Sequence, residues 1–161
     1  MSPINWDESF SVGYAMIDDQ HREFLTLMNT MERLDVSDSD TRNQHHRLRI
    51  LKKLLEFTEK HFRLENKLMQ EYRYPDAYNH WRSHKNFDIS IYALYREVLA
   101  GELVFDISIF MIFRDKFRNH ILKDDKLMFQ RLLSHKPQRE SLKPEFSLAL
   151  SGDNFSPIFQ P

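Results

Sequence analysis

The sequence predicts an all-α protein: an antiparallel up-down four-helix bundle with an extended N-terminal arm and a C-terminal tail. Three observations predict it. Only three Gly occur in 161 residues, too few for the tight hairpin turns of an all-β fold. Apolar side chains recur at alternating three- and four-residue steps through four long stretches, which is the period of one helix face. The breaks between those stretches are short, so consecutive helices should be antiparallel neighbours.

Residues 1–16 carry Pro3, Gly13 and scattered aromatics without a helical period and read as the arm. A first helix is expected from Asp18 or Asp19, either a suitable N-cap, with Ile17, Phe24, Met28 and Met31 at helical spacing. Residues 35–40 are a polar break. A long second helix, about 41–72, places Leu51, Leu54, Thr58, His61, Glu65, Leu68 and Tyr72 inward. Tyr74-Pro75-Asp76 ends it, because the residue before a proline is driven out of the helical region. The third helix runs to about residue 100 with Ala77, His80, His84, Phe87, Ile91, Leu94 and Val98 on one face, and Gly101 is a good C-cap. The fourth, about 106–133, carries Ile109, Phe113, Phe117, His120 and the segment 124–127. Residues 1–135 form one bundle domain. Residues 136–161 hold four of the six prolines and are expected to be a flexible tail.

Composition narrows the function. Lys plus Arg number 23 against 24 Asp plus Glu, a net charge of −1, without the basic excess of a nucleic-acid binder. The absence of cysteine excludes disulfide scaffolds, thiol catalysis and iron–sulfur clusters. The longest strongly apolar run, 103–113, is too short to span a bilayer and is interrupted by Asp106. Residues 1–7 lack the basic and apolar regions of a signal peptide, so a cytoplasmic location with neither nucleic acid nor membrane as partner is expected. His45 and His46, and the basic run of Arg47, Arg49, Lys52, Lys53, Lys60, Arg63 and Lys67, read as a solvated helix face balanced by nearby acids.

The polar residues that share the apolar register carry the chemistry. His61 and Glu65 are four apart, as are His80 and His84, so each pair lies on one face one turn apart. His21 and His120 occupy comparable positions in the first and fourth helices. Polar groups in a core are expensive unless satisfied, and five imidazoles cannot satisfy one another without a matching supply of acids. A bound cation satisfies them together. Imidazole suits Zn, Cu, Fe and Ni, and excludes an all-oxygen calcium or magnesium site. Five His with two carboxylates, Glu65 and an Asp after His120, exceed one tetrahedral zinc and match two carboxylate-bridged octahedral metals with a position left open. More neutral nitrogen than the Glu-rich E-x-x-H di-iron bundles favours the ferrous state, and with it reversible binding of a small gas.

These residues resemble, in order and spacing, those of the bacterial hemerythrins. The matching elements are Ile4-Asn5-Trp6, Ser11-Val12-Gly13, Ile17-Asp18-Asp19-Gln20-His21, His61-Phe62-Arg63-Leu64-Glu65, Met69 and Tyr74-Pro75-Asp76. They continue with His80-x-x-x-His84-x-x-Phe87 and His120-Ile121-x-x-x-Asp125, and together span about residues 4–133. The resemblance implies two iron ions, Fe2+/Fe3+, bridged by carboxylates and an oxo or hydroxo group. By it, His80, His84 and His120 hold one iron, His21 and His61 hold the other, and Glu65 and Asp125 bridge. Dioxygen would bind at the second iron, in a pocket bounded by Phe24, Phe62, Phe117 and Ile121. The implied function is reversible dioxygen binding for carriage, storage or delivery, not catalysis. The alternative is an oxygen, redox or nitric-oxide sensor acting through a protein partner or the tail; a di-iron peroxidase or nitric-oxide activity is a weaker one.

The sequence departs from the family pattern at Asn66, where a second acid that is not a ligand is usual, and at Lys116, in place of a Trp four residues before the fourth-helix His. Regular helical geometry favours Asp124 as the last acid, since it lies one turn after His120. The family spacing favours Asp125. A wide i→i+5 turn would bring Asp125 inward and leave Asp124 facing solvent beside Lys123 and Lys126; Asp125 is the expected ligand.

Overall fold

The structure, a computed structural model, describes residues 3–32 and 41–134. The polar break at 35–40 and the tail at 136–161 lie outside the described residues. The helices are α1 (Ala15–Glu32), α2 (Thr41–Glu71), α3 (Ala77–Leu99), α4 (Ile107–Asn119) and α5 (Lys126–Ser134), with a π-helical turn, His120–Asp125, between α4 and α5. Asn119 and Lys126, which flank that turn, both keep right-handed helical dihedrals. α4, the π turn and α5 therefore form one unbroken rod, and the described chain is four rods without a strand.

The helix ends follow local chemistry. α1 starts four residues earlier than the Asp18 cap would put it, because the Tyr14 carbonyl accepts from the amides of both Ile17 and Asp18. Asp18 is free to do something else. Its carboxylate accepts from the Val12 amide at 2.7 Å and the Ser11 hydroxyl at 2.8 Å, and so clamps the arm onto α1. The arm contains a 3-10 turn, Glu8–Phe10, capped by Asp7. Its far end is held where the amide and carbonyl of Ile4 bond the side chain of Asn29. Gly101 sits at φ 73° just beyond α3, the left-handed conformation in which Glu102 and Leu103 return hydrogen bonds to the Glu97 carbonyl. Asp106 caps α4 by accepting from the Ile109 amide at 3.0 Å.

Along each rod the same sequence of layers recurs. One apolar cluster contains Phe24, Phe57, Phe87 and Phe117, and a second contains Ile17, Leu68, Ala77 and Met128. His21 lies between its rod's members of the two clusters, as do His61 with Glu65, His80 with His84, and His120 with Asp125. The second cluster comes first on α1 and α3 and last on α2 and the fourth rod. That alternation is the up-down-up-down topology, and it puts these seven polar residues at one level of the bundle.

Three of the expected faces need correction. Tyr72 is only half-buried, because α2 ends at Glu71 and the chain turns away through Arg73 at φ 53°. Phe110, not Ile109 or Phe113, is the buried residue near the start of α4; it lies seven residues before Phe117, two turns along the same face. Arg47 of the basic run is buried at 7% exposure rather than solvated.

Candidate metal centre

Seven polar side chains converge in the middle layer. His21, His61, Glu65 and Asp125 have no exposed surface, and His84, His80 and His120 are buried at 2%, 6% and 6%. All five imidazoles point Nε2 inward. The acid Oδ1 of Asp125 lies 2.9 Å from His120 Nε2 and 3.5 Å from His80 Nε2, while its Oδ2 lies 3.3 Å from His21 Nε2 and 3.6 Å from His61 Nε2. Glu65 Oε2 lies 3.1 Å from His84, 3.3 Å from His80 and 3.8 Å from both His120 and His61. The donor atoms fall into two groups, one of Glu65, His80, His84, His120 and Asp125, the other of His21, His61 and Asp125. Asp125 belongs to both, one oxygen facing each.

His80 Nε2 and Glu65 Oε2 are in hydrogen-bond geometry at 3.3 Å, but most of this proximity is not pairing. His21 Nε2, His61 Nε2, Glu65 Oε1 and both oxygens of Asp125 are buried with no hydrogen-bond partner. Leaving such groups unmade costs about 1–3 kcal/mol each, more for charged ones. The atoms instead surround common points, and a cation at those points satisfies them together. Neutral nitrogen and anionic oxygen within 4.8 Å of one another are a donor set that fits iron, and it contains more nitrogen than a single tetrahedral zinc takes.

The outer ring nitrogens explain why Nε2 faces inward. Nδ1 of His21 donates to the Phe10 carbonyl at 2.9 Å, that of His61 to Gln20 Oε1 at 3.0 Å, and that of His84 to Asn66 Oδ1 at 3.3 Å. Nδ1 of His120 donates to Asp124 Oδ2 at 3.0 Å. An Nδ1–H fixed outward leaves the Nε2 lone pair of a neutral ring facing the centre. The arm clamped by Asp18 is thus what presents the Phe10 carbonyl to His21.

Electrostatics keep the two acids ionised and set the rings apart. Burial and the Asp125 charge both oppose ionisation of Glu65, yet His61, His120 and His80 hold its carboxyl well below the usual range. Burial opposes ionisation of Asp125 too, and His120, His21 and His61 hold it well below that range. Burial pushes His84 down to about 3, against the pull of Glu65, so it is neutral. Burial also disfavours the charged forms of His120 and His21, but Asp125 raises both, His120 well above its ordinary value.

The pocket residues are equally buried: Phe24, Phe117 and Ile121 at 0% and Phe62 at 3%. Phe117 stacks on Phe24 with centroids 4.1 Å apart and lies 5.4 Å from the His61 ring. Phe62 stacks on His84 at 3.9 Å. Lys116 is exposed, with Nζ 5.3 Å from the Phe87 centroid, on the solvent side of this aromatic wall.

The sequence reading missed several contributors. Phe57 stacks on His61 at 5.7 Å; its position one turn before His61 was the available signal. Asn66 is more than a neutral departure, since it meets His84. Asp124 does not simply face solvent beside its lysines: its side chain is 49% exposed, yet it reaches His120. The Phe10 carbonyl carries no sequence signal at all.

A buried, histidine-rich cation site between four antiparallel rods defines a helical-bundle metal-binding protein. The model of the hemerythrin HHE cation binding domain matches residues 12–132, and the chain belongs to that family. It is 30% identical over 143 residues to the bacteriohemerythrin of Stenotrophomonas maltophilia (strain R551-3), covering 84% of this chain and 85% of that protein. A hemerythrin-like protein of Naegleria gruberi is 33% identical over 86 residues, 53% of this chain. That match spans 64% of the Naegleria protein, just under two thirds of its length. The crystal structure of a hemerythrin leucine-to-alanine mutant superposes with a TM-score of 0.75 at 25% identity, covering 84% of this chain and all of that one. No described helix is long and apolar enough to cross a membrane.

Proposed function

We propose that this chain binds dioxygen reversibly at two irons held by His21, His61, Glu65, His80, His84, His120 and Asp125. The observation that carries the reading is the set of buried, unpartnered oxygen and nitrogen atoms gathered around Asp125. His80, His84, His120 and Glu65 would hold one metal and His21 and His61 the other, with Asp125 facing both groups; Glu65, 3.8 Å from His61 Nε2, would serve as the second bridge. Two iron ions held there would supply the reversible redox chemistry that dioxygen binding needs.

The protein's own groups do the rest. The His21–His61 side has one imidazole fewer than the other, so a small ligand would be taken up on that side. Phe117 and Phe62 lie 5.4 and 5.6 Å from the His61 ring, and with the buried Phe24 and Ile121 they would form an apolar wall that excludes water and supplies no proton for O–O cleavage. The outward Nδ1 bonds keep the rings from turning when a ligand enters or leaves. Binding without turnover, as in a carrier or store, is the function this arrangement supports.

Reconstitution with ferrous iron under argon tests it. Two irons per chain and a coloured form that appears in air and reverses under vacuum are expected. One zinc per chain with no iron uptake, or a colour change that never reverses, overturns the proposal.

A further inference from the structure

The π turn places two consecutive acids on one imidazole. Asp125 Oδ1 lies 2.9 Å from Nε2 of His120, and Asp124 Oδ2 lies 3.0 Å from its Nδ1. In a regular α-helix residue i+4 stands close to residue i and residue i+5 is swung well away. A turn closed by i→i+5 bonds holds more than four residues, so positions 124 and 125 straddle His120. The acceptors on the other three outward ring nitrogens, the Phe10 carbonyl and the side-chain oxygens of Gln20 and Asn66, are neutral. Asp124 alone among these four acceptors carries a charge.

We propose that Asp124 is a positioning residue of the metal centre, fixing the His120 ring and making it a stronger donor than its neutrally held counterparts. The proposal rests on the reading of His120 as a metal ligand. A carboxylate accepting from Nδ1–H draws that proton outward and raises the electron density at Nε2; such charge-assisted bonds are roughly twice as strong as neutral ones. An anion at this distance from the site also favours the more highly charged metal state. Lys126, next but one along the chain, does not neutralise the effect by pairing with Asp124, for its ammonium donates to the Ser9 carbonyl at 2.9 Å. Half of the Asp124 side chain meets solvent, so it acts as a tuning group and Asp125 as the buried one.

Asp124→Asn and Asp124→Leu in the full chain test this. Affinity for Co2+ is read by competition with a chelator, and the reduction potential is read on the iron-loaded protein. Asp124→Leu is expected to weaken metal binding about ten- to a hundredfold, with Asp124→Asn between it and the wild type, and both potentials moving to more positive values. Metal-free melting close to that of the wild type shows that the rods are intact; if Asp124→Leu fails to fold, the isosteric Asp124→Asn decides. Wild-type affinity and potential in both variants, with the wild type itself loading two metals, overturn the role of Asp124 while leaving the ligand set standing. A wild-type chain that takes up no pair of metals overturns both.

Discussion

Asp125 offers the sharpest test of the centre, because its two oxygens face different halves of it. A metal that binds only the folded chain stabilises it by RT ln(1 + [L]/Kd), about 2.7 kcal/mol at a hundredfold excess over Kd. Two metals contribute roughly 5 kcal/mol by the same relation. For a chain of this size 1 kcal/mol moves the melting temperature about 2–4 °C, so ferrous iron should raise the wild-type Tm by roughly 10–20 °C. Asp125→Ala removes an anionic donor from both groups at once, and the shift should shrink to below about 5 °C. The comparison is made within each variant, with and without metal, so that any change in the metal-free fold cancels. Anaerobic calorimetry with metal analysis on the same samples reads both quantities. Glu56→Ala, an exposed position on the outside of α2, should alter stability by less than about 0.5 kcal/mol and leave the metal shift intact. An Asp125→Ala protein with the wild-type iron content and Tm shift would refute the bridging geometry.

Further outcomes follow from the same contacts. His84, pushed by burial down to about 3, contributes stability to the metal-free chain that is present above 6.5 and lost as the pH falls. His21 and His120, raised by Asp125 against burial, contribute stability that is full below 6.5 and lost as the pH rises through their folded values. The metal-free Tm should therefore peak near pH 6.5, and Asp125→Asn should flatten the alkaline side; a wild-type profile still rising at pH 9 would contradict this. Phe117→Ala empties a fully buried ring site and should lower stability by about 3–5 kcal/mol. Phe117→Leu should retain both irons but shorten the lifetime of the air-induced colour, and an unchanged lifetime would remove Phe117 from the pocket. Asp18→Ala deletes both bonds that clamp the arm, a loss of about 1.5–3 kcal/mol. It should speed amide exchange at Val12, and protection equal to the wild type would show that the arm is held elsewhere.

The sequence by itself determined the four helical rods and most of the inner face of α1 to α3. Seven of seven inward positions expected on α3, from Ala77 to Val98, are buried, because burial of a helix face follows from a 3.6-residue period that each helix carries locally. The same period put His61 with Glu65, and His80 with His84, on buried faces. Only the tertiary structure decided what those side chains meet. Whether Asp124 or Asp125 turns inward depended on a π turn, whose poorer local geometry is retained only when packing and site contacts across the bundle favour it. The choice of Phe110 over Ile109 depended on how the rod is rotated against its neighbours, a property of the interface and not of the period. The partners that fix the outward ring nitrogens come from places as unlike as an arm carbonyl at Phe10 and a side chain on a neighbouring helix at Gln20. Such pairings join residues up to 41 apart in the chain, and no local pattern encodes them, because their energy exists only once the rods have packed.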